Sequence, residues 1–149
     1  MLPLRIEYAG EMAGVLAAPE LYVFTGGEPP TAEQLVRRYE RQLAGPDDAS
    51  GFWLNWVIQS TEDDLLVGYL QATVIGEDAE IAWVLGTGWQ GRGYAKEAAL
   101  GLVDWLRVQG VQRVIAHVHP DHSASAAVAA AAGLTRTAHL DDGEYLWEL

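Results

Sequence analysis

The stretch VLGTGWQGRGYAKEAA, Val84 to Ala99, constrains this chain more than any other. An apolar run, EIAWVL (Glu80 to Leu85), leads into it. From about Gly91 to Val108, Ala95, Ala98, Ala99, Leu102 and Leu106 recur at helical spacing, and Gly110 is a stop. A strand therefore hands over to a helix through a turn containing Gly86, Gly88, Gly91 and Gly93. Small residues at a helix start let several backbone N–H groups and the positive helix end aim at one point, which suits a phosphate or pyrophosphate.

The flanking sequence supplies the other elements. After a short apolar start (Leu4, Ile6), GEMAGVLAAPELY predicts a first helix over residues 10–22. Thr31 and Gln34 form a capping-box pattern for a second helix running to about Leu43. FWLNWVIQ (Phe52 to Gln59) and LLVGYLQATVI (Leu65 to Ile75) read as a hairpin across STEDD, and EIAWVL follows the GEDA turn as a third strand. RVIAHVH predicts another strand, Ser123 to Ala132 an alanine-rich helix capped by Gly133, and TAHL with EYLWEL a closing hairpin. The order is α+β: helices, an antiparallel meander, a β-α-β crossover, then a final helix with strands.

The 149 residues, half of them hydrophobic, suit one domain spanning 1–149 with its own core. No cysteine is present, so neither disulfides nor cysteine-ligated metals arise. The first residues lack the apolar core of a signal peptide, and no run of about 18 apolar residues occurs, so a soluble, cytoplasmic protein without membrane association is expected. The net charge of -12 argues against nucleic acid, whose binding depends on Lys and Arg displacing counterions, and suits a cationic substrate better. Residues 86–113 are the exception: Arg92, Lys96, Arg107 and Arg113 face only Glu97 and Asp104, a positive island that hints at a bound anion. A homodimer is compatible with all of this.

Gly86, Gly88 and Gly91 spell G-x-G-x-x-G, the dinucleotide-binding signature. That signature should open the first βαβ unit and be followed by an acid about 20 residues on. Here it follows three strands. A second frame fits better: Gln90-Gly91-Arg92-Gly93-Tyr94-Ala95 is Q-x-x-G-x-A, and with AEIAWVL before it and HPDHSASAAVAAAAGL after it the chain resembles the GNAT superfamily of N-acetyltransferases. It is most similar to the branch that includes ribosomal-protein N-terminal acetyltransferases.

The resemblance implies a mixed, mostly antiparallel central sheet flanked by helices, a β-α-β core for acetyl-CoA, and acetyl transfer to a primary amine, either a peptide N-terminus or a small molecule. It implies that the backbone of Gln90, Gly91, Arg92, Gly93, Tyr94 and Ala95 holds the pyrophosphate, with Arg92 and Lys96 adding charge. For those two side chains the ordinary alternative is a solvated helix face. It also implies that the strand edge Trp83, Val84 and Leu85 pairs with the pantetheine arm. An amine of pKa about 8 to 10.4 is largely protonated at neutral pH, so a base is required. Glu80 matches the family's strand-four glutamate. Ala82 and Val84 share its strand face, an apolar setting that could raise a carboxyl pKa. The plain alternative for Glu80 is a strand-edge acid following the turn acids Glu77 and Asp78. The family's usual tyrosine on the last helix, donor to the leaving thiolate, is Ala129 here. Ser125 matches the serine that contacts the coenzyme sulfur in the similar branch, and its alternative role is to satisfy backbone groups at the helix start. His122 stands where the family has asparagine. Tyr22, Phe24, Trp53 and Trp56 are candidates for the acceptor pocket, although Trp53 and Trp56 fall on opposite faces of one strand.

HVHPDH, His117 to His122, invites a different reading: H-x-H-x-D-H is the ligand spacing of zinc hydrolases. His117 and His119, two apart on one strand, can point at one ion. Yet only His139, Asp141 and Asp142 follow as further ligands, too few for a dinuclear site, and no metal is expected. A GNAT-like domain that binds CoA without catalysis is the remaining alternative, and Ala129 gives it standing.

Overall fold

A computed structural model describes residues 1–149. Its strands are β1 (Leu2–Pro3), β2 (Phe52–Gln59), β3 (Leu66–Ile75), β4 (Asp78–Leu85), β5 (Arg113–Val118), β6 (Thr135–Asp141) and β7 (Glu144–Glu148). They form one sheet in the order β1-β2-β3-β4-β5-β7-β6. Every pairing is antiparallel except β4 with β5. A parallel pair needs a crossover, and helix α3 (Tyr94–Val108) supplies it. Helices α1 (Ala9–Val15), α2 (Ala32–Ala44) and α4 (Ser123–Ala131) complete the α+β fold.

Alternation along the strands builds a core on each face. Ala79 and Ile81 of β4, Val114, Ala116 and Val118 of β5, and Leu70 and Ala72 of β3 pack with the buried stripe of α3 and with Val128 and Ala129 of α4. The opposite face receives α1 and α2, with Met12, Leu35 and Tyr39 against Val57 and Leu66. Glu80, Ala82 and Val84 point to this second face. The second helix starts as expected: Thr31 Oγ1 accepts from the Gln34 N–H at 3.1 Å, and Gln34 Oε1 accepts from the Thr31 N–H at 2.9 Å.

Several elements depart from the sequence reading, β4 among them, which starts at Asp78 within the expected turn. The helix expected over 10–22 ends at Val15 because Pro19 holds Ala18 extended (φ -73°, ψ 124°), and only a 3₁₀ turn, Pro19–Tyr22, follows. The helix expected from Gly91 begins at Tyr94, since Gly91 and Gly93 adopt φ of +78° and +86°, outside the helical region. Strand β5 stops at Val118, leaving His119 in the turn. Leu2–Pro3 adds an edge strand too short to show a pattern. No helix is long and apolar enough to cross a membrane.

The pairing of β4 with β5 is brief. Asp78, Ala79 and Glu80 face Arg113, Val114 and Ile115, and there the ladder stops although both strands continue. The closed end is clamped: the Gln112 and Arg113 N–H groups donate to the Glu77 carbonyl, and the Arg113 guanidinium bridges Glu148 (2.8 Å) and Asp78 (3.6 Å). The open end of β4 leans onto β3. Gly68 lies opposite Leu85 with no side chain to hold the strands apart, and the Gly86 N–H donates to the Val67 carbonyl at 2.8 Å. The two parallel strands thus splay from Ile81 onward.

Candidate active site

At the mouth of the splay stands the glycine turn. Gly93 precedes α3 in the left-handed conformation, which an L side chain reaches only with strain. A Cβ placed at Gly88, Gly91 or Gly93 would meet no atom within 4 Å, so the turn is open outward. Its side chains brace it from behind: Gln90 Nε2 donates to the Leu85 carbonyl at 3.0 Å, and Tyr94 shares a hydrogen bond of 3.2 Å with the buried Ser60 hydroxyl. Arg92 and Lys96 are exposed and form no ion pair, and Ala95 is half-buried. Of the expected edge residues, Trp83 packs with the α3 core, Val84 with the α1–α2 cluster, and Leu85 is buried. Open N–H groups, left-handed glycines and uncommitted cations fit a pyrophosphate. The unpaired backbone past Ile81 fits an amide-bearing arm.

At the apex, where the ladder ends, Glu80 Oε1 lies 2.7 Å from His117 Nδ1. His117 Nε2 is 4.0 Å from Asp141 Oδ2 in the β6–β7 hairpin. The apolar setting expected around Glu80 is absent: its side chain is 49% exposed, and its nearest partner is an imidazole. His117 is the residue that the sequence reading assigned elsewhere. Its place follows from the register, since Glu80 pairs with Ile115 and His117 lies two residues further along the same strand face.

His117 parts from the other two histidines of HVHPDH, which both meet Phe24. His119 Nδ1 accepts from the Asp121 N–H at 3.1 Å, and no group of three metal-ligating side chains converges. His122 stacks on Phe24, with ring centroids 4.5 Å apart and planes at 16°, and its Nε2 lies 3.4 Å from Ser125 Oγ. Phe24 also meets the His119 ring at 4.9 Å. Of the candidate acceptor aromatics, Phe24 therefore covers the start of α4, Tyr22 donates to the Leu16 carbonyl, Trp56 packs edge-on against Trp105, and Trp53 remains exposed. Ser125 interacts with His122 rather than with backbone, and no hydrogen bond joins this pair to Glu80 and His117. Ala129 is fully buried.

Burial beneath Phe24, aided by the nearby His119, lowers the His122 pKa from its usual 6.5. The unfolded chain then binds a proton at higher pH than the folded one, so stability is complete above about pH 6.5 and falls as pH drops toward the folded value. Thermal unfolding followed against pH is expected to fall less steeply below about pH 6.5 in His122→Asn than in the parent protein.

Residues 1–135 match the family model described as an acetyltransferase (GNAT) domain. This chain belongs to the GNAT acetyltransferase family, a family of acyltransferases. No curated protein matches by sequence. Among solved structures, an acetyltransferase (GNAT family) from Bacillus anthracis superposes with a TM-score of 0.81 at 19% identity, over 99% of this chain and 91% of that one. A protein described as a ribosomal-protein-serine acetyltransferase from Vibrio cholerae gives 0.77 at 16% identity over 98% and 90%. The microcin C7 self-immunity acetyltransferase MccE, in complex with acetyl-CoA and AMP, gives 0.77 at 18% over 100% and 89%. At these identities the likeness concerns the fold.

Proposed function

We propose that this chain transfers the acetyl group of acetyl-CoA to a primary amine. The observation that carries the reading is the β4–β5 splay, with an anion-suited turn at its mouth and the Glu80–His117 pair at its apex. MccE, a protein of the same fold, is known in complex with acetyl-CoA. Bound acetyl-CoA would supply a thioester carbonyl, whose C–S bond breaks as the C–N bond to the amine forms.

The chain's residues manage protons and position. Backbone N–H groups of Gln90 to Ala95, with Arg92 and Lys96, hold the pyrophosphate, and the free edge of Trp83 to Leu85 aligns the pantetheine. Glu80 takes the proton that an ammonium must lose before its nitrogen can attack. His117, against the carboxylate, fixes its direction and offers a second stop for the proton on the way past Asp141 to water. At the thiol end the Ser125 O–H donates a hydrogen bond to the leaving sulfur, which departs as thiolate and takes up the proton that the nitrogen loses on becoming an amide. The Ser125 oxygen then accepts from His122 only when that imidazole carries its proton on Nε2. Neutrality of His122, favoured by burial, keeps a positive charge out of this contact.

The test is thiol release from acetyl-CoA in the presence of primary amines, including peptides with free N-termini and polyamines. Amine-dependent release above background hydrolysis is expected. The buried Ala129, in place of a tyrosine donor, favours a second reading in which the domain binds CoA without turnover. Saturable acetyl-CoA binding with no release by any amine would establish that reading instead.

A further inference from the structure

Beneath α2, on the sheet face to which Glu80 points, lies a cavity of about 270 Å³. Leucines of the N-terminal segment and α2 form its apolar end, and Asn55 and Gln71, joined by a 3.0 Å hydrogen bond, line the sheet side. Arg38 is its single charged lining residue, and no acid lines it. The half-buried guanidinium makes no ion pair, in a protein whose acids outnumber its Lys and Arg by 21 to 9. Tyr39 and Tyr69 also line the cavity, and both phenols lie close enough to Arg38 to feel its charge. Burial is the larger influence: it pushes the Tyr39 pKa up to about 12 and raises that of Tyr69, so both hydroxyls remain donors. A pocket with mostly hydrophobic lining residues and a few polar groups among them is the usual build of a small-molecule site.

The cavity adjoins the apex of the splay. Gln71 pairs with Ala82, and Glu80 is two residues further along β4 on the same face, a diagonal separation of roughly 7–8 Å. Resting on the acetyl-transfer reading above, we propose that this cavity is a carboxylate subsite for the acceptor: the amine belongs to a short peptide or amino-acid-like molecule whose carboxylate is held by Arg38 and the tyrosine hydroxyls while its nitrogen reaches Glu80. A carboxylate matches one guanidinium in charge and in bidentate geometry. A phosphate dianion would retain an uncompensated charge in a half-buried, largely apolar space. An extended dipeptide spans about 7 Å, comparable to the separation of Gln71, on the sheet side of the cavity, from Glu80. Such a zwitterion uses both signs of the protein's charge, the acidic surface for its ammonium and Arg38 for its carboxylate.

The probes are Ala-Leu and Ala-Ala-Leu, each as free acid and as C-terminal amide. The ratio of kcat/KM for acid over amide is measured by thiol release, and peptide binding by calorimetry. A preference for the acids of about 10- to 100-fold is expected, the scale of a hydrogen bond to a charged group. Arg38→Gln should bring the ratio near one, Arg38→Lys should restore part of it, and Arg37→Gln, outside the cavity, should keep it. Equal use of acid and amide, with a ratio unmoved by Arg38→Gln, overturns the carboxylate subsite and leaves acetyl transfer standing. Arg38-dependent binding of the acids without acetylation of any amine supports the subsite and removes the catalytic reading. No binding and no turnover of any probe removes the subsite.

Discussion

Glu80→Gln is expected to lower kcat for amine acetylation by about 10²- to 10³-fold at pH 7, the usual scale for loss of a positioned general base, while acetyl-CoA affinity stays within about twofold. Glutamine preserves the shape and the bond to His117 but takes no proton. The deficit should shrink as pH rises past the acceptor's pKa, about 8 for an α-amine, because the free amine then needs no base. A pH–rate profile of thiol release for both proteins checks this. His117→Phe, with Glu80 intact, should cost less, about tenfold. Superimposable profiles for Glu80→Gln and the parent protein would remove Glu80 from its role.

Gly68→Ala is the second large effect, and it acts on the framework. A Cβ at Gly68 would run into the Val84 carbonyl and approach the Leu85 backbone at 3.0 Å, both parts of a paired strand that cannot turn aside. The strand end must move or the ladder must break, at a cost of about 1–3 kcal/mol or more. In a domain of this size that lowers the unfolding midpoint by roughly 2–12 °C. The moved segment also contains the edge assigned to pantetheine, so acetyl-CoA should bind more weakly in the portion that remains folded. Gly101→Ala is the control of opposite sign. Within α3 an added methyl there meets nothing within 4 Å, and replacing a helical glycine should raise stability by up to about 1 kcal/mol. Calorimetric melting of the two variants beside the parent protein distinguishes strand collision from a general intolerance of glycine replacement.

Local rules made much of the fold legible. Thr31 and Gln34 announced a helix start because a capping box is closed by neighbours in sequence. The β2–β3 hairpin followed from apolar runs around a polar turn. What depended on distant partners was less visible. The splay arises from where β5 parts from β4 and from the closeness that Gly68 permits, neither of which leaves a periodic trace. HVHPDH was conspicuous by composition, yet its first histidine answers to Glu80, 37 residues earlier, and its last to Phe24 in a segment with no regular pattern. Spacing along the chain brought the three imidazoles together on paper. The end of β5 at Val118 parts His117, which meets Glu80, from His119 and His122, which both meet Phe24. The Arg38 cavity was missed for the same reason, since an arginine on an amphipathic helix looks like any solvated cation until the strands beneath it are in place.

A sheet that parts in its middle has two more edges than its outline shows, and exposed edges invite pairing with other chains. In this protein those inner edges lie between β4 and β5, past the short ladder of Asp78 to Glu80 with Arg113 to Ile115. Whatever occupies the gap then does part of the work of a missing strand. A ligand at one hundred times its dissociation constant adds about 2.7 kcal/mol to the folded state. On the acetyl-transfer reading, acetyl-CoA seated in the gap would add to the stability of the fold in this way.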